Sequence, residues 1–201
     1  MDAEQPVING TFVRRMLGTP RNRSGRVITP TWSVRRLTAL DDAHIDGLAD
    51  VLIDCVEGGA SVSFMHPLTR DRAVAFWRRA AQGVAAGERA LLVAEDARGL
   101  CGTVQLLLDQ PENQSHRADL SKMLVHRRAR RQGLGAALGR AAEATARECG
   151  KTLLVLDTAN GEAERLYERL GWMRVGVIPG YALLPRGGFC DTTVYYRNLG
   201  G

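Results

Sequence analysis

Lysine is nearly absent from this chain: Lys122 and Lys151 are the only two, and arginine supplies the rest of its 27 basic residues. The formal net charge of +5 and the pI near 9.4 are therefore read as solvated arginine faces plus partners for an anionic ligand, not as a nucleic-acid surface. Cysteine is sparse too. Cys55, Cys101, Cys149 and Cys190 form no C-x-x-C and have no histidine at metal-ligand spacing, so no metal site is expected, and reduced thiols in a cytoplasmic protein are. No apolar run approaches the ~20 residues of a membrane span, and the N-terminus has no signal-peptide apolar stretch. Internal repeats are absent.

At 201 residues and 45% hydrophobic content, the chain suits one domain with a sizeable core. Residues 1–30 are polar and basic, carrying Arg14, Arg15, Arg21, Arg23 and Arg26 among few large apolar residues. They read as a flexible arm, either without structure of its own or touching an acidic surface. The folded domain is expected over 31–201.

Within that domain the hydrophobic periods separate helices from strands. Asp41 to Val56 places Ile45, Leu48, Ala49, Leu52, Ile53 and Val56 on a helical stripe, and Thr69 to Ala86 does so through Ala73, Phe76, Trp77 and Ala80. Thr31–Leu37, Leu91–Glu95, Leu100–Leu108, Asp119–Val125, Leu153–Asp157, Met173–Ile178 and Thr192–Asn198 read as strands. Consecutive strands come first and crossover helices later, which predicts a mixed α/β (α+β) domain.

Between the strand ending at Val125 and an alanine-rich helix, Ala136 to Glu148, lies Arg130-Arg131-Gln132-Gly133-Leu134-Gly135. The first N–H groups of a helix lack internal partners and favour anions, glycine admits close backbone approach, and arginine adds charge-assisted hydrogen bonds. No third glycine follows for a dinucleotide fold, and no Gly-Lys-Ser/Thr for a P-loop. Downstream, Asn160-x-x-Ala163-x-x-x-Tyr167-x-x-x-Gly171-Trp172 follows the strand that ends at Asp157. The two segments, in this order, resemble the acetyl-CoA motifs of the GNAT superfamily of N-acetyltransferases. The resemblance implies acetyl-CoA as cosubstrate and a mostly antiparallel central sheet splayed between its fourth and fifth strands. It also implies cofactor contacts from Met123, Leu124, Val125, Arg130, Arg131, Gln132, Gly133, Leu134, Gly135, Asn160, Ala163 and Tyr167.

Acetyl transfer to an amine needs an acceptor for the ammonium proton and a donor for the leaving thiolate. Asp119, opening one strand, and Asp157, closing the neighbouring one, are the candidate bases; which is the main one stays open. Strand alternation puts Asp119, Ser121, Met123 and Val125 on one face. Tyr167 is the candidate acid, and the resemblance assigns the thioester oxygen to a backbone N–H near Leu124.

The loop Glu57-Gly58-Gly59-Ala60-Ser61-Val62-Ser63-Phe64-Met65 and the segments Arg117–Val125 and Pro179-Gly180-Tyr181 are further similar to the tabtoxin resistance acetyltransferases. That likeness implies a small amino-acid-like or β-lactam amine as acceptor and a toxin-resistance role. Glu57, Ser61, Phe64 and Tyr181 are the expected acceptor contacts, Glu57 meeting an ammonium. A protein or peptide N-acetyltransferase and a non-catalytic acyl-CoA sensor are the alternatives. Family proteins of this size often form homodimers, and nothing here marks an interface.

Overall fold

The computed structural model describes residues 31–200; the N-terminal arm expected over 1–30 lies outside the described residues. Strand β1 (Trp32–Leu37) leads to helices α1 (Asp42–Glu57) and α2 (Arg70–Ala85), then to the hairpin strands β2 (Arg89–Asp96) and β3 (Gly99–Leu107). Strand β4 (Arg117–Val125), helix α3 (Leu134–Glu148), strand β5 (Leu153–Thr158) and helix α4 (Gly161–Arg169) follow, and β6 (Met173–Leu183) and β7 (Phe189–Asn198) close the chain. Among the described residues no helix is long and apolar enough to cross a membrane.

Local chemistry sets the helix starts. Asp41 and His44 form a reciprocal capping box at α1, and Thr69 caps α2 through its side chain. Helix α3 begins two residues before the expected Ala136, because Gly133 takes φ +79 and turns the chain into the helix. At the far end of α4, Gly171 at φ +81 reverses the chain.

The strands form one seven-stranded sheet in the order β1-β2-β3-β4-β5-β7-β6. Only β4 and β5 run parallel, and their pairing stops after Arg117↔Leu153, Ala118↔Leu154 and Asp119↔Val155. Helices α1 and α2 cover one face, burying Leu48, Leu52, Trp77, Leu91, Val93 and Leu124. Helices α3 and α4 cover the other, where Ala118, Leu120, Leu138, Leu154, Tyr167 and Trp172 pack. The sheet is thus buried on both faces near its centre, as its long apolar β2 and β3 require.

Two irregularities alter the expected faces. Thr103 pairs with Leu124 and Gln105 with Ser121, so Lys122 and Met123 oppose the single Val104. This bulge, with Lys122 at φ +50, breaks the strand's alternation. Met123 and Val125 consequently pack against the α3 core with Leu120, while Leu124 joins the α1–α2 core; the single face expected for Asp119, Ser121, Met123 and Val125 does not form. In β6, a second irregularity between Ile178 and Ala182 lets pairing resume, so the strand continues five residues past the expected Ile178, to Leu183.

Candidate active site

Beyond Asp119 and Val155 the strands β4 and β5 diverge, leaving the β5-facing edge of Leu120–Val125 unpaired. A cleft of ≈ 790 Å³ opens there, between the α3 and α4 N-termini at one end and the loop after α1 at the other. Unpaired strand edges expose backbone donors and acceptors. Met123, Leu124 and Val125 line the cleft along that edge, although the Val125 carbonyl already accepts from Arg130 Nε at 3.0 Å and from the Cys55 thiol at 3.6 Å.

The α3 end is built for an anion. No side chain caps the helix, and its first backbone bond runs from Ala137 N–H to the Gly133 carbonyl at 3.1 Å. The N–H groups of Leu134, Gly135 and Ala136 therefore lack helical partners and sit at the positive end of the helix dipole. Arg130 and Arg131 flank them, and Arg131, largely exposed, reaches Glu162 only at 3.8 Å. A diphosphate fits this donor set. Gly135 lines the cleft and also serves packing: a Cβ there would stand 3.0 Å from Leu166 Cδ2, so its missing side chain lets α4 approach α3. Asn160 uses Oδ1 to cap α4, accepting from Glu162 N at 2.8 Å and Ala163 N at 3.4 Å; only its amide N–H groups stay free for a ligand. Gln132 does not line the cleft and donates instead to the Arg128 carbonyl.

At the middle of the cleft Asp157 accepts a hydrogen bond from Thr192 Oγ1 at 2.7 Å. Thr192 is buried, so it fixes one carboxylate oxygen while Asp157 itself stays open to the cleft. Tyr167 is only 4% exposed yet reaches the same cleft. Burial, and secondarily the Asp157 carboxylate, push its phenol well above the ordinary tyrosine value. Its hydroxyl consequently stays protonated, and able to donate a hydrogen bond, through the neutral pH range.

Asp119 does not line this cleft. Its carboxylate is engaged by Arg117 on the same face of β4 and by Gln110 Nε2 at 3.1 Å, at the last rung before the strands part. The two expected acids are therefore not brought together: Asp157 shares the cleft with Tyr167, and Asp119 serves an ion pair. Glu57 also falls outside the cleft, in a separate polar groove, where it pairs with Arg127 Nη2 at 3.3 Å. Ser61, Phe64 and Tyr181 do line the cleft.

The loop after α1 is tied to the β6–β7 hairpin across the end of the cleft opposite the α3 and α4 N-termini. Ser61 Oγ donates to the Leu183 carbonyl at 3.4 Å, and His66 N–H donates to the Pro185 carbonyl at 2.8 Å. Lys122, not singled out above as a site residue, enters beneath this roof. Its Nζ lies 3.2 Å from Ser63 Oγ and 5.6 Å from the centre of the Phe76 ring. Burial draws its pKa below the ordinary lysine value, and Asp157 opposes that shift. A charged residue inside the apolar run from Leu120 to Val125 was the available signal; its direction depends on the bulge.

Residues 87–174 match the acetyltransferase (GNAT) domain family. The match spans β2 to the start of β6 and omits β1, α1, α2 and most of the closing hairpin. Among solved structures, yncA of Salmonella typhimurium, described provisionally as an acetyltransferase and solved with its cofactor acetyl-CoA, superposes with TM-score 0.69 at 21% identity over 85% of this chain and 95% of that one. A provisional phosphinothricin N-acetyltransferase gives 0.67 at 18% identity over 85% and 99%. The ribosomal-protein-alanine N-acetyltransferase of Brucella melitensis gives 0.68 at 20% over 82% and 98%. At these identities the likeness is one of fold.

Proposed function

With a GNAT acetyltransferase domain as the premise, we propose that this N-acetyltransferase moves the acetyl group of acetyl-CoA directly onto a small primary amine. The observation that carries the reading is the roofed cleft, in which Asp157 and Tyr167 face one space between an uncapped helix start and a hydrogen-bonded lid. Acetyl-CoA supplies the acyl group as a thioester. The chain's own groups do the rest. The N–H groups of Leu134, Gly135 and Ala136, with Arg130 and Arg131, hold the diphosphate, and the open edge at Met123–Val125 aligns the pantetheine amides.

Asp157 accepts the proton that the acceptor ammonium must lose before its nitrogen can bond to the acyl carbon. As that bond forms and the carbon–sulfur bond breaks, the Tyr167 hydroxyl hydrogen-bonds the departing sulfur, and the second proton shed by the acylated nitrogen ends on the thiolate to give the free CoA thiol. A phenol shifted upward is a reluctant acid, so its main service is a hydrogen bond to the developing thiolate. The Thr192 hydroxyl keeps Asp157 aimed.

The roof favours a small acceptor. Ser61 and His66 close the end where a peptide groove would have to run out. An amino-acid-like amine, including a β-lactam toxin of the tabtoxin kind, fits that enclosure and gives the enzyme a protective or metabolic role. All four cysteines are free thiols, in keeping with work in the cytoplasm. The test is CoA formation, followed by chromatography, from acetyl-CoA and a panel of amino acids, β-lactam amino-acid analogues, polyamines and peptides. Turnover on small amines supports the reading; turnover on peptides alone would replace it with the protein-directed alternative.

A further inference from the structure

Asp157 and Lys122, of opposite charge, both line the cleft without forming an ion pair with each other. The other lysine is structural, with Lys151 Nζ tied to the Leu108 and Ser115 carbonyls at 2.8 Å each. Lys122 instead pairs with no carboxylate among the described residues; it has a hydroxyl, Ser63 Oγ at 3.2 Å, and the face of Phe76. Leaving a half-buried ammonium without an anion is costly unless a ligand supplies one. The backbone at Lys122 is also strained, since φ +50 is uncommon for a residue with a side chain. From that backbone conformation the side chain runs beneath the lid, to Ser63 and Phe76.

We infer that Lys122 is the carboxylate anchor of the acceptor site, so that the enzyme takes amino acids whose amine faces Asp157 and whose carboxylate is bound by Lys122 Nζ with Ser63 Oγ beside it. This rests on the small-amine N-acetyltransferase reading above. A single ammonium and one hydroxyl match a monoanion, whereas a phosphate dianion would bring excess negative charge up to Asp157. Diamines are disfavoured because a second ammonium would meet Lys122. The cation–π contact holds the ammonium in place for the incoming carboxylate.

The experiment compares kcat/KM for matched pairs, each amino acid against its own carboxamide, with rates corrected for the neutral-amine fraction. It uses the full chain and its Lys122→Met, Lys122→Arg and Ser63→Ala variants. The unmodified enzyme should prefer the acid by about 10- to 100-fold, the range of a charge-assisted hydrogen bond. Lys122→Met should collapse that ratio toward unity through KM for the amino acid, while affinity for acetyl-CoA holds. Lys122→Arg should keep part of the preference, and Ser63→Ala should lose about two- to tenfold of it. Circular dichroism checks folding, and if the methionine variant fails it, the arginine and alanine variants carry the test. An unmodified enzyme that turns over carboxamides as well as acids, or a ratio that survives Lys122→Met, would overturn the anchor and leave the N-acetyltransferase reading standing. Equal loss on acids and carboxamides would also overturn it and make Lys122 a proton acceptor or a packing residue. Acetyl-CoA binding without turnover on any small amine would refute both readings together.

Discussion

Replacing Asp157 with Asn removes the proposed proton acceptor with almost no change in shape, and leaves an oxygen to which Thr192 Oγ1 can still donate, as it does now at 2.7 Å. A positioned general base is worth about 10²- to 10⁴-fold in rate, or about 2.7–5.5 kcal/mol of barrier at ~1.36 kcal/mol per decade. Asp157 is exposed to the cleft, so stability should move by about 0.5 kcal/mol or less. The variant can then use only amines already neutral in solution. With a pKa near ~10.4, an alkylamine is about 0.04% neutral at pH 7 and about 28% neutral at pH 10, so kcat/KM of Asp157→Asn should climb several hundredfold across that range. A peptide α-amino group, with pKa near ~7.7, should give only about a sixfold climb. The assay is initial-rate CoA formation by chromatography from pH 7 to 10, with acetyl-CoA saturating. Full activity in Asp157→Asn, or a loss that alkali does not restore, would refute Asp157 as the base.

The other outcomes follow from the same geometry. Asp119→Asn and Glu57→Gln should each keep kcat/KM within about threefold, since losing a true base costs at least ~10²-fold; Asp119→Asn should still show a lower urea midpoint, because Arg117 loses its partner. Tyr167→Phe should lower kcat about 10- to 100-fold in steady-state assays without moving the alkaline limb of the rate profile, as burial keeps the phenol protonated there. The folded tyrosine holds its proton more tightly than the unfolded one, so its stabilisation is complete below pH ~10 and is lost as pH rises beyond it. Urea midpoints should therefore fall less steeply above pH ~10 in Tyr167→Phe than in the parent. Gly171→Ala puts a Cβ 2.6 Å from Arg197 Nη1 at φ +81, which should cost about 1–2 kcal/mol and lower Tm by about 2–8 °C in a thermal melt.

Much of the fold was legible because it rests on local periodicity. The stripes through Ile45–Val56 and Ala73–Ala80 became α1 and α2, and the run Leu153–Asp157 became β5, each within a few residues. Gly133 and Gly171 punctuated the two motif helices through positive φ, a conformation that glycine adopts without steric cost. The position of Tyr167 on a stripe with Ala163 and Leu170 likewise anticipated a side chain buried against the sheet yet reaching the cleft.

The acid–base centre was less legible, because alternation fails at a bulge. Residues two apart share a face only while each residue of a strand opposes one of its partner, and Lys122 with Met123 opposing Val104 breaks that count. Asp119 and Asp157 looked equivalent as strand-end acids; Arg117 and Gln110 claim the first, and Thr192, 35 residues beyond the second, turns it toward the cleft. Glu57 followed a plausible helix only to be captured by Arg127, 70 residues away. The sequence by itself thus determined the element order, the glycine-led helix start after β4 and the place of Tyr167 on its helix, all of which depend on spacing within one segment. Tertiary structure alone decided which carboxylate opens to the cleft and that Lys122 points beneath the loop after α1, because both depend on the divergence of two strands and on partners brought from distant parts of the chain.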